Sequence, residues 1–394
     1  MATILMASFT FEKVYKNFFL CQNTAMKILV INPGSTSTKI SVFENRTPIF
    51  TQSVFHDAPI MLSFATTNDQ LPYRKQVTLD ILKQHSISIQ DIDIFVGRGG
   101  SAHTQTGGLT IIDSNLYTDT KNEVAKTDHA AKLGVMLAYE FSQEYDKSAF
   151  TINPTNMDEL QDVARITGIK GLYRRPQSHA LNQKAIAQIH SQKLGKKVED
   201  CNFIIAHIDG GITIGAHQNG KMIDCTEGAG GDGPFTPTRI GSIPVLEVVR
   251  YLENGHNTDE IRALCSHSGG YISYFGTSDT QKIYEKMKAK DPQAALVWEA
   301  MLYQISKCIG QMATVLKGNV DNIILTGGLV RYHEIVDYIS DHCSFIAPII
   351  TYPGEVEQEA MAWAVCDYLE GKIKPKTYVP HDVFEGFPWD KIVY

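Results

Sequence analysis

The chain has 394 residues, of which 43% are hydrophobic and 20% charged, with a net charge of −7. That length exceeds what one hydrophobic core supports, so two domains are expected, and the mild acidity without long blocks of either sign argues against nucleic acid as a partner. No run of about eighteen apolar residues occurs, so no membrane span is expected, and the seven cysteines show neither CxxC pairing nor secretory crowding, the usage of reduced thiols in a cytoplasmic protein.

In chain order, residues 1–25 carry short apolar pieces interrupted by Glu12, Lys13 and Lys16, which does not fit a secretory signal. They are expected to be an extension without chemistry ahead of a functional start at Met26. Residues 27–43 read as strand, glycine turn and strand, closed by a turn signal at Glu44-Asn45, with a further apolar run behind it. A buried strand is expected at 92–97, an amphipathic helix at 122–141 with Val124, Leu133, Met136 and Leu137 inward, and a strand at 149–152. Pro154 then breaks regularity and marks the passage into a second domain. Strands follow at 200–206, 322–325 and 346–352, and helices at 244–253, 292–317 and 357–370. Strands alternating with helices predict an α/β chain, with residues 26–152 as one domain, 153–356 as the second, and about 357–394 returning to the first.

Residues 203–216 repeat the pattern of 27–43: a strand, the turn Asp209-Gly210-Gly211, a second strand, and a hairpin signal at Gln218-Asn219-Gly220. Glycine lets the backbone approach an anion, amides and hydroxyls donate to its oxygens, and a basic residue such as Lys39 adds charge. Two such hairpins facing each other predict a central cleft for nucleotide phosphates. Residues 228–233 satisfy GxGxxG, but Pro234 and Pro237 follow where the dinucleotide fingerprint needs a helix. Residues 34–39 lack the second glycine of a P-loop.

From Met26 almost to its end the chain resembles the butyrate kinases, of the acetokinase family within the acetate and sugar kinase, Hsp70 and actin superfamily. The matching pieces run in order: INPGSTSTK at 31–39, VGRGG at 96–100, HALNQK at 179–184, GPFTPTR at 233–239, FGTSD at 275–279, LTGGL at 325–329 and FIAPIITYPG at 345–354. The resemblance implies two related actin-like (ribonuclease H-like) domains, each a mixed sheet flanked by helices, and a homodimer. It also implies reversible transfer of the ATP γ-phosphoryl group to butyrate with Mg2+, giving butyryl phosphate and ADP. Such a reaction needs positioned cations more than a base, because a carboxylate nucleophile is already ionised at neutral pH.

The residue roles that follow belong to the resemblance. Asn32, Ser35, Ser37 and Lys39 line a first phosphate loop, with Asn32 near magnesium; simple turn chemistry is the alternative for the two serines. Arg98 and Arg239 clamp the substrate carboxylate and the moving phosphoryl group, a solvated surface arginine being the alternative for Arg98. His179 donates to the phosphoryl group, and His129 either shapes the site or is structural. Gly210, Gly211 and Thr213 form a second phosphate loop, Asp279 lies near the adenosine, and Gly327 and Gly328 pass beneath it. Glu359, with Glu357 as its rival, holds magnesium-bound water.

Four positions depart from the family pattern. Asn153 stands for an aspartate, Asp209 for a glycine, Lys132 for an asparagine and Ser178 for a phenylalanine. Two unit charges about 4 Å apart cost on the order of 4 kcal/mol at an effective dielectric of 20, so Asp209 opposes phosphate unless a cation bridges them. A catalytically impaired nucleotide-binding paralogue and a kinase of another short or branched acid therefore stand as alternatives, with a sugar kinase further off. Asp113, Asp119 and Asp128 match no role.

Overall fold

The structure is a computed structural model that describes residues 25–125 and 129–391. The expected extension therefore lies almost wholly outside the described residues, as does Asp128. The chain divides into two compact units, residues 25–154 with 357–385, and residues 155–356 with 386–391.

Unit 1 is built on a six-stranded sheet. Strands β1 (Lys27–Pro33), β2 (Ser37–Glu44) and β3 (Thr47–Phe55) form an antiparallel meander. Asn45 closes its first turn at φ 52°, a left-handed value that asparagine tolerates. Strands β4 (Ile94–Gly97) and β6 (Ser148–Ile152) then extend the sheet in parallel, and β5 (Leu109–Ile111) pairs antiparallel to β6, giving the order β3-β2-β1-β4-β6-β5.

Unit 2 repeats the scheme with β7 (Asn202–Ile208), β8 (Ile212–Gln218), β9 (Lys221–Cys225), β10 (Asn322–Gly327) and β11 (Ile349–Pro353). Its order, β9-β8-β7-β10-β11, again places an antiparallel meander beside parallel strands. The two mixed sheets flanked by helices are the expected fold class.

Packing explains the sequence pattern. Along β7 every residue from Phe203 to Ile208 is buried; Ile204, Ala206 and Ile208 face the helix Pro292–Val315, while Phe203 and Ile205 face the helix Ala180–Lys193. A strand covered on both faces shows a continuous apolar run rather than alternation. The helix Pro292–Val315 starts at Asp291, whose carboxylate accepts from Ala294 N, with proline at its first position. Its buried stripe includes Trp298, Met301, Ile305 and Ile309, at helical spacing.

The helix expected over 122–141 begins only at Lys132 and runs to Tyr145. A separate helix, Ser114–Lys121, precedes it, capped by the Asp113 carboxylate on Leu116 N and stopped by a turn in which Glu123 takes φ 52°. Val124 is half-buried in that turn rather than on a helix face. Asp119 accepts from the Tyr378 hydroxyl at 2.8 Å. The helix Glu357–Leu369 packs on β1, β4 and β6, and Gln358 Nε2 donates to Ser41 Oγ at 2.8 Å.

The helix Lys132–Tyr145 starts in direct contact with the end of β4. A Cβ on Gly97 would lie 1.9 Å from Gly134 O, and one on Gly134 would lie 2.6 Å from both Arg98 N and Arg98 O. Two bare backbones meet here, so neither can yield to a methyl group. Gly97→Ala is expected to destabilise the protein by about 3 kcal/mol or more, at the upper end of overpacking costs. Urea unfolding of parent and variant measures it, and an unchanged midpoint contradicts this packing.

Candidate active site

In unit 1 the site residues gather where β1 and β4 end. Asn32 and Lys39 are cross-strand partners, so their side chains leave the same face of the hairpin. Arg98 follows β4 and its Nη1 donates to Asn32 Oδ1 at 3.2 Å and to Glu357 Oε2 at 2.9 Å. Asn32 Nδ2 donates to the same Glu357 oxygen at 2.8 Å. Glu357 is only 1% exposed, and its Oε1 has no hydrogen-bond partner among the described residues. The carboxylate beside Asn32 is therefore Glu357 and not Glu359, which is half-buried two residues along the helix. At about 100° per residue, positions i and i+2 point roughly 200° apart and cannot both face the strand ends.

Ser35 is exposed, and Ser37 and Lys39 are half-buried. The loop closes on itself through Gly34 N and Ser37 O at 2.8 Å. Beneath it lies Arg74, which the sequence reading passed over; its Nη1 donates to Ser37 O at 3.0 Å and to Thr38 Oγ1 at 2.9 Å. With that hydroxyl accepting from Arg74, its own proton points to His56 Nε2 at 2.9 Å, which leaves His56 Nδ1–H for the Tyr73 oxygen at 3.2 Å. His129 sits before the helix Lys132–Tyr145, where its Nδ1 accepts from Ala131 N at 3.1 Å. Lys132 is fully buried and paired with Glu123. Asn153 takes φ 42°, and its Oδ1 accepts from Gly108 N at 2.8 Å. It anchors a loop in a left-handed position that asparagine and aspartate both tolerate.

In unit 2, Thr213 is fully buried and serves His179. Its Oγ1 accepts from His179 N at 3.3 Å and from Gln183 Nε2 at 2.9 Å. Both lone pairs being used, the hydroxyl proton must go to His179 Nδ1 at 2.9 Å, which puts the ring proton on Nε2. The His179 ring stacks on His207 at 3.9 Å between centroids.

Arg239 comes to the same place from the proline-rich loop. Thr236 organises that loop by accepting from Thr238 N and Arg239 N, both at 3.1 Å, and by donating to Gly210 O at 2.8 Å. Arg239 Nη1 donates to Gly228 O at 2.6 Å, and burial lowers its pKa below the usual arginine value. A Cβ on Gly211 would lie 2.7 Å from Arg239 Nη1 and 3.1 Å from His179 Cε1, so glycine at 211 is what lets the two side chains meet the loop.

Asp209 bridges the two glycine segments of unit 2. Its Oδ1 accepts from Gly210 N at 2.8 Å and its Oδ2 from Gly328 N at 2.7 Å. Gly327, at φ 102°, runs against Ile208, whose carbonyl oxygen would lie 2.3 Å from a Cβ. Asp279 caps the helix Thr280–Lys288 through Gln281 N at 3.1 Å and Lys282 N at 3.3 Å. Ser178 is buried with its hydroxyl 3.8 Å from Met222 Sδ.

His207, Asp209 and Glu355 each offer a ligand atom, all within 4.8 Å of one another. Yet Asn182 Oδ1 accepts from Val356 N at 3.0 Å, which turns Asn182 Nδ2 toward His207 Nδ1, also at 3.0 Å. His207 therefore carries its proton on Nε2, 3.5 Å from Glu355 Oε1, so as folded this ring nitrogen presents an N–H rather than a ligand lone pair to the cluster.

Residues 160–340 match the Acetokinase family. Among solved structures, the acetate kinase of Porphyromonas gingivalis superposes with a TM-score of 0.71 at 17% identity, over 88% of this chain and 100% of that one. A propionate kinase from Francisella tularensis gives 0.68 at 16% identity over 86% and 98%. The acetate kinase of Entamoeba histolytica gives 0.65 at 17% identity over 81% and 87%. These similarities place the chain's fold with those of the acetate and propionate kinases.

Burial and the nearby charge of Arg74 lower the His56 pKa from 6.5 to about 4. Because the folded value lies below the unfolded one, the unfolded state takes the proton first as pH falls. Stability is therefore expected to decline from about pH 6.5 toward pH 4 and to decline less steeply in His56→Gln, as read by urea midpoints across that range.

Proposed function

We propose that the protein is a carboxylate kinase that moves the γ-phosphoryl group of ATP to a short-chain acid, with butyrate as the substrate, and catalyses the reverse. The observation that carries this reading is the Asn32–Arg98–Glu357 cluster, a half-buried cation and a buried metal-type carboxylate at the end of a glycine hairpin. The family match over residues 160–340 supports it.

A substrate carboxylate oxygen attacks the γ-phosphorus, the bond from phosphorus to the β,γ-bridging oxygen breaks, and ADP leaves. No proton need move, since the nucleophile is ionised beforehand. Arg98, already turned inward by Glu357, offers its remaining donors to the acid or the phosphoryl oxygens. Arg239 supplies a second partly desolvated cation, and His179, with its proton held on Nε2, donates to the phosphoryl group in flight.

Mg2+ fits the residues of unit 1. Glu357 Oε1 is a buried hard oxygen without a partner among the described residues, on the carboxylate that Asn32 Nδ2 bonds, and Mg2+ is held by one or two such groups plus substrate phosphates. When bound, it neutralises phosphate charge. On this reading Asp209 keeps the amides of Gly210 and Gly328 occupied, so nucleotide phosphate competes with an internal carboxylate for them.

Arg98→Ala and Arg239→Ala are each expected to cut turnover about a thousandfold with smaller effects on ATP affinity. Steady-state kinetics with ATP, magnesium and a panel of acids tests this, and near-parental turnover in either variant refutes the assigned role. The same panel decides between butyrate and other acids. Asp209→Gly combined with Asn153→Asp is expected to raise activity by freeing two amides and adding a carboxylate in unit 1. A parent that already turns over fast and gains nothing shows instead that the site is tuned around Asn153 and Asp209.

A further inference from the structure

Arg74 is the largest fully buried side chain among the described residues, yet none of its hydrogen-bond partners among them is a carboxylate. Its acceptors are all neutral: Gln70 Oε1, from Nε at 3.0 Å and Nη2 at 2.9 Å; Ser37 O and Thr38 Oγ1 from Nη1; Ser35 O at 3.5 Å and Met61 Sδ at 3.9 Å from Nη2. Buried cations are ordinarily paired with an anion, because removing a charge from water is costly. Burial lowers the pKa of Arg74 only to about 10, so it stays charged at neutral pH.

Three successive carbonyls of the loop above it are engaged. The carbonyls of Ser35 and Ser37 are held by Arg74, and the carbonyl of Thr36 accepts from His56 N at 2.9 Å. In a trans peptide the C=O and the following N–H point in opposite directions. Holding the carbonyl of Ser35 toward Arg74 therefore turns the N–H of Thr36 away from it. No hydrogen bond engages the amide of Ser35 or Thr36 among the described residues, and both side chains are exposed. Two successive unengaged amides over a buried positive charge suit an anion.

We propose that Arg74 is a positioning residue for the first glycine loop: its uncompensated charge and its grip on the carbonyls of Ser35 and Ser37 hold residues 34–37 ready for the phosphate-bearing anion that the kinase reading places there. The inference rests on the kinase reading only in taking that anion to be part of the substrate. Arg74 reaches it through the peptide groups and does not touch it. The anion completes the ion pair that the protein itself leaves open.

Gln70→Glu tests this directly. It keeps an acceptor oxygen at both places where Arg74 donates, but supplies the missing negative charge. The probe is pyrophosphate, titrated calorimetrically into the full-length protein, so that turnover is not required. The expected result is an unfolding midpoint equal to or above the parent's and pyrophosphate affinity weakened about tenfold. Arg74→Met, which keeps the apolar stem, is expected to weaken binding by at least as much, and serves if the glutamate variant fails to fold. A purely structural arginine would be satisfied by the introduced carboxylate and leave binding unchanged. Unchanged affinity in either folded variant, or a parent that does not bind pyrophosphate, overturns the inference. A parent that binds pyrophosphate but phosphorylates no carboxylate refutes the kinase reading and leaves this inference standing.

Discussion

The contact between Arg98 and Glu357 constrains unit 1 more than any other. Glu357 lies 325 residues beyond Asn32, yet both bond to the same guanidinium, with Glu357 almost wholly removed from water. A carboxylate buried so deeply must be paired, and breaking such a pair by removing one partner costs about 3–5 kcal/mol. The pair therefore fixes where the helix Glu357–Leu369 enters unit 1 and which of its faces meets the strand ends. The close approach of Gly97 and Gly134 then sets Arg98 at the right height, because its backbone N–H bonds to Ile31 O and its carbonyl to Val135 N.

Unit 2 solves the equivalent problem with neutral groups. Thr213, the cross-strand partner of His207, spends its hydroxyl on fixing the tautomer of His179, as Asn182 does for His207. The hairpins correspond in position but not in turn: residues 34–37 separate paired strand ends in unit 1, and only 209–211 do so in unit 2. The longer turn is braced from below by a buried arginine and the shorter one from within by the Asp209 carboxylate. The same topological place is thus held by a cation in one unit and by an anion in the other.

Asp209 and Asn153 look like isolated charge changes when read along the chain. In the fold each has a structural occupation: Asp209 joins the glycine segments of two neighbouring strands, and Asn153 tolerates a left-handed backbone while holding the Gly108 loop. A charge altered at a position that also carries backbone hydrogen bonds changes stability and chemistry together.

Sequence alone determined most of the strands, the repeat of the glycine hairpin and the helices Pro292–Val315 and Glu357–Leu369, because buried strands and amphipathic helices leave period and turn signals within a short window. The resemblance carried by its motifs also pointed to Asn32, Arg98, His179, Thr213, Arg239 and Gly211, because each motif is readable within one segment. Tertiary structure decided the rest. Only packing shows that the apolar pattern over 122–141 is interrupted at Glu123, or that Glu357 rather than Glu359 turns toward Asn32, a choice made by the rotation of a helix on a distant sheet. Arg74 left no signal at all: one arginine in a helix reads as a solvated face, and its burial beneath residues 35–38 depends on contacts 36 to 39 positions away in the chain.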